Sequence, residues 1–599
     1  MIYQETFDKF VEDAGFRIVT QNDPEYPFAR PISNSRFHYR PLVIAYCESA
    51  ADVGICLQYC RIQSMPFRIR SGGHHHEGMS SGNELMVIDL SQLYRNQETN
   101  TFKIDIQHHE CEPYAWIPSG MKLDQVYTEL RKWGMIIPGG GCQSVNVGGL
   151  TQGGGWGVHV RKYGLACDQM IDAELVLADG TVTLASEANK KLKDKLSDDN
   201  DLLWALRGGG GGNFGVVTRF KFRLCPLNKH MTTFGIFWKK KVDVINMIAR
   251  WAELHEHDAL PPELSCTTNM WRVNNEGDSP SFPEPVRGRM GGNFYGTKEE
   301  LIKLLKKEFG CLIPMDGDEP LISVDGAGVD SYFSSLRQSR VKAIIDRSDD
   351  KKGTEANKLS NVKPGLSDEK LKLLAQASLD YVYAQFNLIT GEVENPVSAS
   401  HSKEMESGDE GFKYDVLPAA PNVTCDMPHP HKVTSLYPKD GIDHRKLANQ
   451  IYAQLAEPPF LADVNRYMVW HCLGGAMRNP EFENASSFAF RNKPYMLQLQ
   501  SWWNHAGQLR NDKSRDKDYT RWINDFRKEL QGHEMTEGAF INFVDKDIVE
   551  DISTPEGRLE LLKHYYGQNL NKLREIKTKV DPYNAFDFAM GVVPIEKEN

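Results

Sequence analysis

Arg70-Ser71-Gly72-Gly73-His74-His75-His76-Glu77-Gly78 follows a short run, Met65-Pro66-Phe67-Arg68-Ile69, that reads as a strand entering a turn. Two adjacent glycines let the backbone take positive φ and approach a ligand closely. Successive N–H groups in such a turn form a concave anion site suited to a pyrophosphate. A histidine directly after that cradle stands where a bound ring system can be reached. A surface turn with a chance histidine run explains this stretch, taken alone, equally well.

A second stretch shifts the balance. Pro138 is followed by Gly139-Gly140-Gly141-Cys142-Gln143-Ser144-Val145-Asn146-Val147-Gly148-Gly149-Leu150-Thr151-Gln152-Gly153-Gly154-Gly155-Trp156-Gly157, nine glycines in nineteen residues. Glycine this dense is expected to exclude helix and strand interiors. The run then reads as backbone laid against something flat or charged. It lacks the strand, Gly-x-Gly-x-x-Gly, helix order of a dinucleotide-binding βαβ unit, which sets a nicotinamide dehydrogenase aside.

Arg70-Ser-Gly-Gly-His74 with Glu77-Gly78, Gly141-Cys142, Val147-Gly148-Gly149, Gly153-Gly154-Gly155-Trp156-Gly157 and Arg161-Lys-Tyr-Gly164 together resemble the berberine bridge enzyme-like flavoproteins of the vanillyl-alcohol oxidase superfamily. The resemblance implies an α+β fold: a two-lobed PCMH-type FAD-binding domain with an inserted substrate domain, built on an antiparallel sheet covered by helices. It implies FAD held covalently twice, His74 binding the 8α carbon and Cys142 binding C6. Other cofactor-binding positions it implies are Arg70, Ser71, Gly72, Gly73, Gly78, Val145, Val147, Gly148, Gly149, Gly153, Gly154, Gly157, Gly215, Val217 and Asn569. Taken alone, Cys142 reads as an inert buried thiol; its place in a glycine-rich loop about seventy residues after His74 makes that the weaker reading.

Composition agrees with an enzyme. At 599 residues the chain exceeds one hydrophobic core, so two or more lobes are expected. Its net charge, 70 − 81 = −11, argues against nucleic acid or anionic membrane as partners. There is no apolar run of membrane-spanning length. The start, Met1-Ile-Tyr-Gln-Glu-Thr-Phe-Asp, lacks the pattern of a signal peptide. Eleven scattered cysteines do not resemble a disulfide framework, so a reducing, cytoplasmic setting is expected. Adjacent histidines at 74–76 do not converge on one ion as helical ligands do, so no metal is expected.

Along the chain, residues 1–35 read as an entry segment and 36–228 as the FAD-binding domain. Leu42 to Tyr46 and Leu85 to Leu90 read as strands, with a helix from Ala50 to Arg61. Phe102 to Ile106 and Ala115 to Pro118 form a further strand pair, and Leu123 to Trp133 an amphipathic helix. Glu174 to Ala185 is a hairpin turning at Asp179-Gly180. A second glycine run, Arg207 to Gly215, leads into the alternating strand Val216 to Leu224. Residues 229–545 change texture and read as the substrate domain, with a polar insertion at about 340–430 interrupted by a helix from Ser367 to Phe386. Residues 546–599, with Tyr565-Tyr566-Gly567, Asn569 and Asp581-Pro582, resemble the family's closing motif, which returns to the FAD lobe.

The resemblance implies hydride removal from an alcohol or activated C–H of a small-molecule substrate, a sugar or a secondary metabolite. A base takes the adjacent hydroxyl proton, and electrons pass to O2 to give hydrogen peroxide. Val145, three residues after Cys142, matches the choice of oxidases over dehydrogenases. The family's tyrosine base sits in Asn-Tyr-x-Asp, but this chain has Asn542-Phe543-Val544-Asp545, and Phe543 cannot accept a proton. His471, in Trp470-His471-Cys472-Leu473-Gly474-Gly475, is then the candidate base, with a suitable unperturbed pKa. It reads equally as a core histidine bonded to backbone. Gln498 and Gln500 share one face of the strand Pro494 to Trp503 and suit either a hydrogen-bonded core or a hydroxylated substrate. Leu150 replaces a histidine that plant members carry. Phe543 and Leu150 support the alternative of a flavin-holding protein or flavin-assisted cyclase without net redox turnover.

Overall fold

The computed structural model describes residues 4–595, except 97, 100, 108–111, 194, 228–230, 273–283, 317–318, 321–322, 328–429, 459–463 and 504–513. The expected polar insertion, apart from its last residue, and the helix expected at Ser367 to Phe386 therefore lie outside the described residues.

Two small sheets form the N-terminal part. The first has the order Ile18–Thr20, Val43–Tyr46, Met86–Asp89, Phe67–Arg70. Its last three strands run parallel, Val43 opposite Met86 and Phe67 opposite Met86. The helix Ala50–Gln63 carries the chain from Val43–Tyr46 across to Phe67–Arg70, and residues 71–85 bring it back to Met86–Asp89 between them. Ser49 starts that helix by accepting from the Asp52 amide, and the Asp52 carboxylate accepts in return from the Ser49 amide. The strand Phe67–Arg70 ends in the Ser71–Gly78 loop, which is thus set at the sheet's C-terminal edge. The second sheet is antiparallel, in the order Val182–Leu184, Met170–Val176, Val216–Arg223, Tyr114–Pro118, Asp105–Gln107. The single strand expected from Phe102 to Ile106 is two short ones, Thr101–Phe102 and Asp105–Gln107. The C-terminal helices Pro555–Tyr566 and Leu570–Val580 pack into the core of this second sheet. Tyr566 donates to Gly209 O at 2.9 Å, and Lys577 Nζ to Asn213 O at 2.8 Å.

The middle of the chain builds an eight-stranded antiparallel sheet. Its order is Ser323–Ala327, Thr232–Trp238, Val286–Phe294, Leu264–Arg272, Val464–Cys472, Tyr495–Trp503, His431–Pro438, Thr536–Glu537. Strand periodicity divides it into two faces. Phe234, Ile236, Met270, Met290, Met468, Trp470, Leu497 and Leu499 join Trp251, Leu447 and Ile451 of the helices Lys241–Glu256 and His444–Ala456 in one core. The alternate positions Asn269, Arg289, Tyr467, His471, Gln498 and Gln500 are polar.

Buried ions join the parts. Lys432 Nζ, fully buried, meets Glu77, Asp545 and Asp547, the last at 2.9 Å. Arg36 closes on Glu77 at 2.9 Å. Burial alone would lower the Lys432 pKa, but the Asp545 and Glu77 carboxylates overcome it and raise it. Arg491 forks onto Asp168 and also donates to Met477 O at 3.2 Å. Arg161 reaches Leu473 O and Leu260 O, each at 2.7 Å. Gly474 and Gly475, at φ +88° and +58°, make room for it, because a Cβ on Gly475 would stand 2.3 Å from Arg161 O.

Removing the buried ammonium leaves uncompensated carboxylates. Lys432→Met is expected to destabilise the protein by about 3–5 kcal/mol. Urea unfolding measures this; a loss under about 1 kcal/mol would mean the cluster behaves as a solvated surface pair.

Candidate functional site

The two glycine-rich stretches lie against each other. A Cβ on Gly72 would stand 2.9 Å from Asn146 Oδ1, and one on Gly148 would stand 2.8 Å from Ser71 Oγ. Gly73 has φ +71°, and the amides of Gly72, Gly73 and His74 donate to no group among the described residues. Ser71 Oγ donates to Ser119 O at 2.7 Å, and Ser144 Oγ lies 3.3 Å from His74 Nε2. The His74 ring therefore touches the Cys142 loop.

Residues Val147–Gln152 form a short helix despite Gly148 and Gly149, contrary to the expectation that no helix forms here. Tertiary contacts override the low propensity. The amides of Val147 and Gly148 bond Met121 O and Ser119 O, and the buried Val147 packs in the lobe's core. Past the helix, a Cβ on Gly157 would stand 1.9 Å from Gly139 O, so only glycine permits this backbone approach.

This cradle fits FAD. Its donors are the unengaged amides at Gly72–His74. Its acceptors are Asn146 Oδ1, Thr151 Oγ1 and Gln152 Oε1, buried atoms with no hydrogen-bond partner among the described residues. No atom lies within 4 Å of a Cβ built on Gly149, so the helix start faces open space. Gly153 and Gly154 carry the backbone on to Trp156.

Several implied positions serve the scaffold. Arg70 is spent on Asp89 and on Ala29 O at 2.8 Å, so its side chain is a buried strut. Gly78 closes a turn onto His75 O beside Phe37. Val145 packs against the lobe's core, and its carbonyl accepts from the Leu123 amide. Gly215 allows contact with Val176 O, and Val217 is buried with its carbonyl taking Ser119 Oγ at 2.6 Å. Asn569 Nδ2 holds Ser487 O at 3.1 Å. Cys142 is in a disulfide, contrary to the free thiolate expected there. Eight other cysteines are free thiols, and Cys111 and Cys425 lie outside the described residues.

The polar sheet face meets the cradle at one cluster. Trp156, from the glycine run, donates to Cys472 O at 2.8 Å, and its ring lies 4.2 Å from that of His471. His471 Nε2 is 2.7 Å from Gln498 Oε1, while the buried His471 Nδ1 has no partner among the described residues. Gln500 Nε2 donates to Gln498 Oε1 at 2.8 Å, and Gln500 Oε1 accepts from Trp502 at 2.9 Å and Tyr467 at 2.6 Å. Gln498 thus acts on His471. Burial lowers the His471 pKa to about 4 against a small opposing effect of the Gln498 bond, so the unperturbed value expected from sequence is corrected.

Phe543 stands between His471, 5.7 Å away ring to ring, and His76, 5.9 Å away. His76 Nδ1 lies 2.9 Å from His431 Nε2, and His431 stacks on Trp502 at 4.2 Å. Burial holds His74 and His75 at about 4 and His76 at about 3, with neighbouring positive groups adding to the effect at His74 and His76. These rings are neutral at neutral pH. Asn34 ties the group together: its amide donates to His76 O at 2.6 Å and His431 O at 3.0 Å, and accepts from the His431 amide. Sequence reading missed Asn34, His431, Lys432 and Trp156. Only Trp156 carried a signal, as the one large side chain in the glycine run. Among the described residues no group of three or more metal-ligating side chains forms, and no helix is long and apolar enough to cross a membrane.

Residues 41–186 match the family described as "FAD binding domain", and residues 539–593 match "Berberine and berberine like". An uncharacterised FAD-linked oxidoreductase of Bacillus subtilis is 26% identical over 588 residues, covering 97% of each chain. The tetrahydroberberine oxidase of Berberis wilsoniae is 25% identical, covering 89% of this chain and 82% of its own. The solved structure of a berberine bridge enzyme-like protein, number 28 of Arabidopsis thaliana, superposes with a TM-score of 0.69 at 20% identity, covering 99% of this chain and 100% of the other. Both ends of the FAD lobe carry the family's sequence, full-length relatives share it, and the fold agrees. The chain is an FAD-linked oxidoreductase that resembles the berberine bridge enzyme-like proteins along its whole length.

Proposed function

We propose that this oxidoreductase is an oxidase that dehydrogenates an alcohol, or a similarly activated C–H centre, in a sugar or a secondary metabolite, with His471 as the base. The net change is loss of two hydrogens from the substrate and reduction of O2 to hydrogen peroxide. FAD, held by the cradle from Gly72 to His74 and from Asn146 to Gly157, supplies the hydride acceptor and the route of electrons to oxygen. His74 is its covalent anchor. Cys142 is the second, once a thiol reductant has opened its disulfide, since one sulfur cannot hold both bonds.

The unpartnered, buried Nδ1 of His471 carries this reading. A neutral imidazole with a bare nitrogen accepts a hydroxyl proton directly, whereas Phe543 has no group to do so. Gln498 holds the opposite ring edge, so the lone pair stays fixed in direction. The polar sheet face, with Tyr467 and Asn269, suits hydroxyl or other polar groups of the substrate, and Trp156 offers a flat wall.

Three outcomes are expected. His74→Ala loses a flavin-bearing peptide seen in the wild type by mass spectrometry; an unchanged flavin peptide at this histidine's position would show that another residue is the anchor. His471→Ala slows substrate-dependent flavin reduction by about 100-fold or more, leaving reoxidation by O2 unchanged; equal reduction rates would remove His471 from the reaction. Because protonation consumes the Nδ1 lone pair, the reduction rate stays level from pH 8 to about 5 and falls as pH drops through about 4. A fall centred near the ordinary histidine value contradicts the assignment.

A further inference from the structure

We infer that Trp502, acting through the side-chain amides of Gln500 and Gln498, dictates which nitrogen of His471 carries the proton and leaves Nδ1 as the basic one. The role of that lone pair in catalysis rests on the function proposed above; the tautomer does not.

The chain of bonds admits one solution. An indole N–H only donates, so the Gln500 atom 2.9 Å from Trp502 Nε1 is its oxygen. Tyr467 OH, 2.6 Å from that oxygen, then also donates to it. The other end of the Gln500 amide is therefore NH2, and it donates across 2.8 Å to Gln498, whose facing atom is an oxygen. That oxygen is 2.7 Å from His471 Nε2 and has no proton to give, so Nε2 bears the hydrogen. A neutral imidazole has one such hydrogen, and Nδ1 is left bare. A charged ring would bury an unpaired cation with no carboxylate bonded to it.

Register makes the relay rigid. Gln498, Gln500 and Trp502 alternate along one strand, and Tyr467 lies directly opposite Gln500 on the next. Ser435 and Val433 oppose the two glutamines on the other side. Trp502 is itself clamped by the stacked His431, which meets His76 of the cradle loop. The donor that sets the tautomer is thus anchored in the FAD lobe, two amides away from the base. Trp502, Gln500 and Gln498 are positioning residues.

The test is 15N NMR of histidine-labelled holoenzyme at pH 8, with the His471 signals identified by their loss in His471→Ala. The wild type is expected to show a protonated, pyrrole-type Nε2 and a bare, pyridine-type Nδ1. Gln500→Glu cannot donate to Gln498. The Gln498 amide then turns over, gives hydrogens to Glu and to His471 Nε2, and moves the ring proton to Nδ1. Gln498→Glu keeps an acceptor at the same place and is expected to preserve the wild-type tautomer, as is Tyr467→Phe. A wild type protonated at Nδ1, or a tautomer unmoved in folded Gln500→Glu, overturns the inference. If Gln500→Glu fails to fold, Trp502→Phe replaces it, and a tautomer mixture is the expected result and an unchanged single tautomer the contrary one. Gln500→Glu is also expected to slow substrate-dependent flavin reduction by about 100-fold. A moved proton with an unchanged reduction rate upholds the tautomer relay and removes His471 as the base.

Discussion

A fully buried ammonium group holds three distant parts of this chain together. Lys432 lies in the eight-stranded sheet; Glu77 directly follows the three histidines of the cradle loop; Asp545 comes two residues after Phe543. Arg36 and Arg527 add positive charge and Asp547 negative, so the group is balanced. None of these charges tolerates burial without the others. The positions of His76, His431 and Phe543 follow from that requirement, since each is a near neighbour in sequence of a cluster member.

The eight-stranded sheet divides labour between its faces. Its apolar side is sealed by helices, and its polar side presents hydrogen-bonding groups to the glycine-rich cradle. The two lobes meet where Trp156 touches His471 and where His76 touches His431. Burial at this seam keeps the imidazoles neutral. A neutral ring has a donor and an acceptor edge, and the surrounding amides choose between them. A wide sheet thus supplies direction to a small number of polar atoms.

Much of this was legible in the chain itself. The glycine runs announce the cradle because a side chain at Gly157 would run into the Gly139 carbonyl, and one at Gly72 or Gly148 would crowd Asn146 or Ser71. The alternation Leu497-Gln498-Leu499-Gln500 places Gln498 and Gln500 on one face. Contacts over long sequence separation were not legible. Asn34 and His431 meet across hundreds of residues, and nothing local marks either. Arg70 looks like an anion binder in its motif, but Asp89 in the neighbouring strand already claims it. Val147–Gln152 is helical because distant carbonyls and a packed valine stabilise it. The disulfide at Cys142 and the lowered pKa of His471 both depend on surroundings that only the folded chain creates.

The most direct measurement is an experimental density map of the flavin-loaded protein. The ring system is expected between the paired glycine loops and the polar sheet face, walled by Trp156, with His471 Nδ1 turned toward the space over it. Ring density elsewhere, or a His471 ring whose Nδ1 is bonded to protein, would contradict the arrangement.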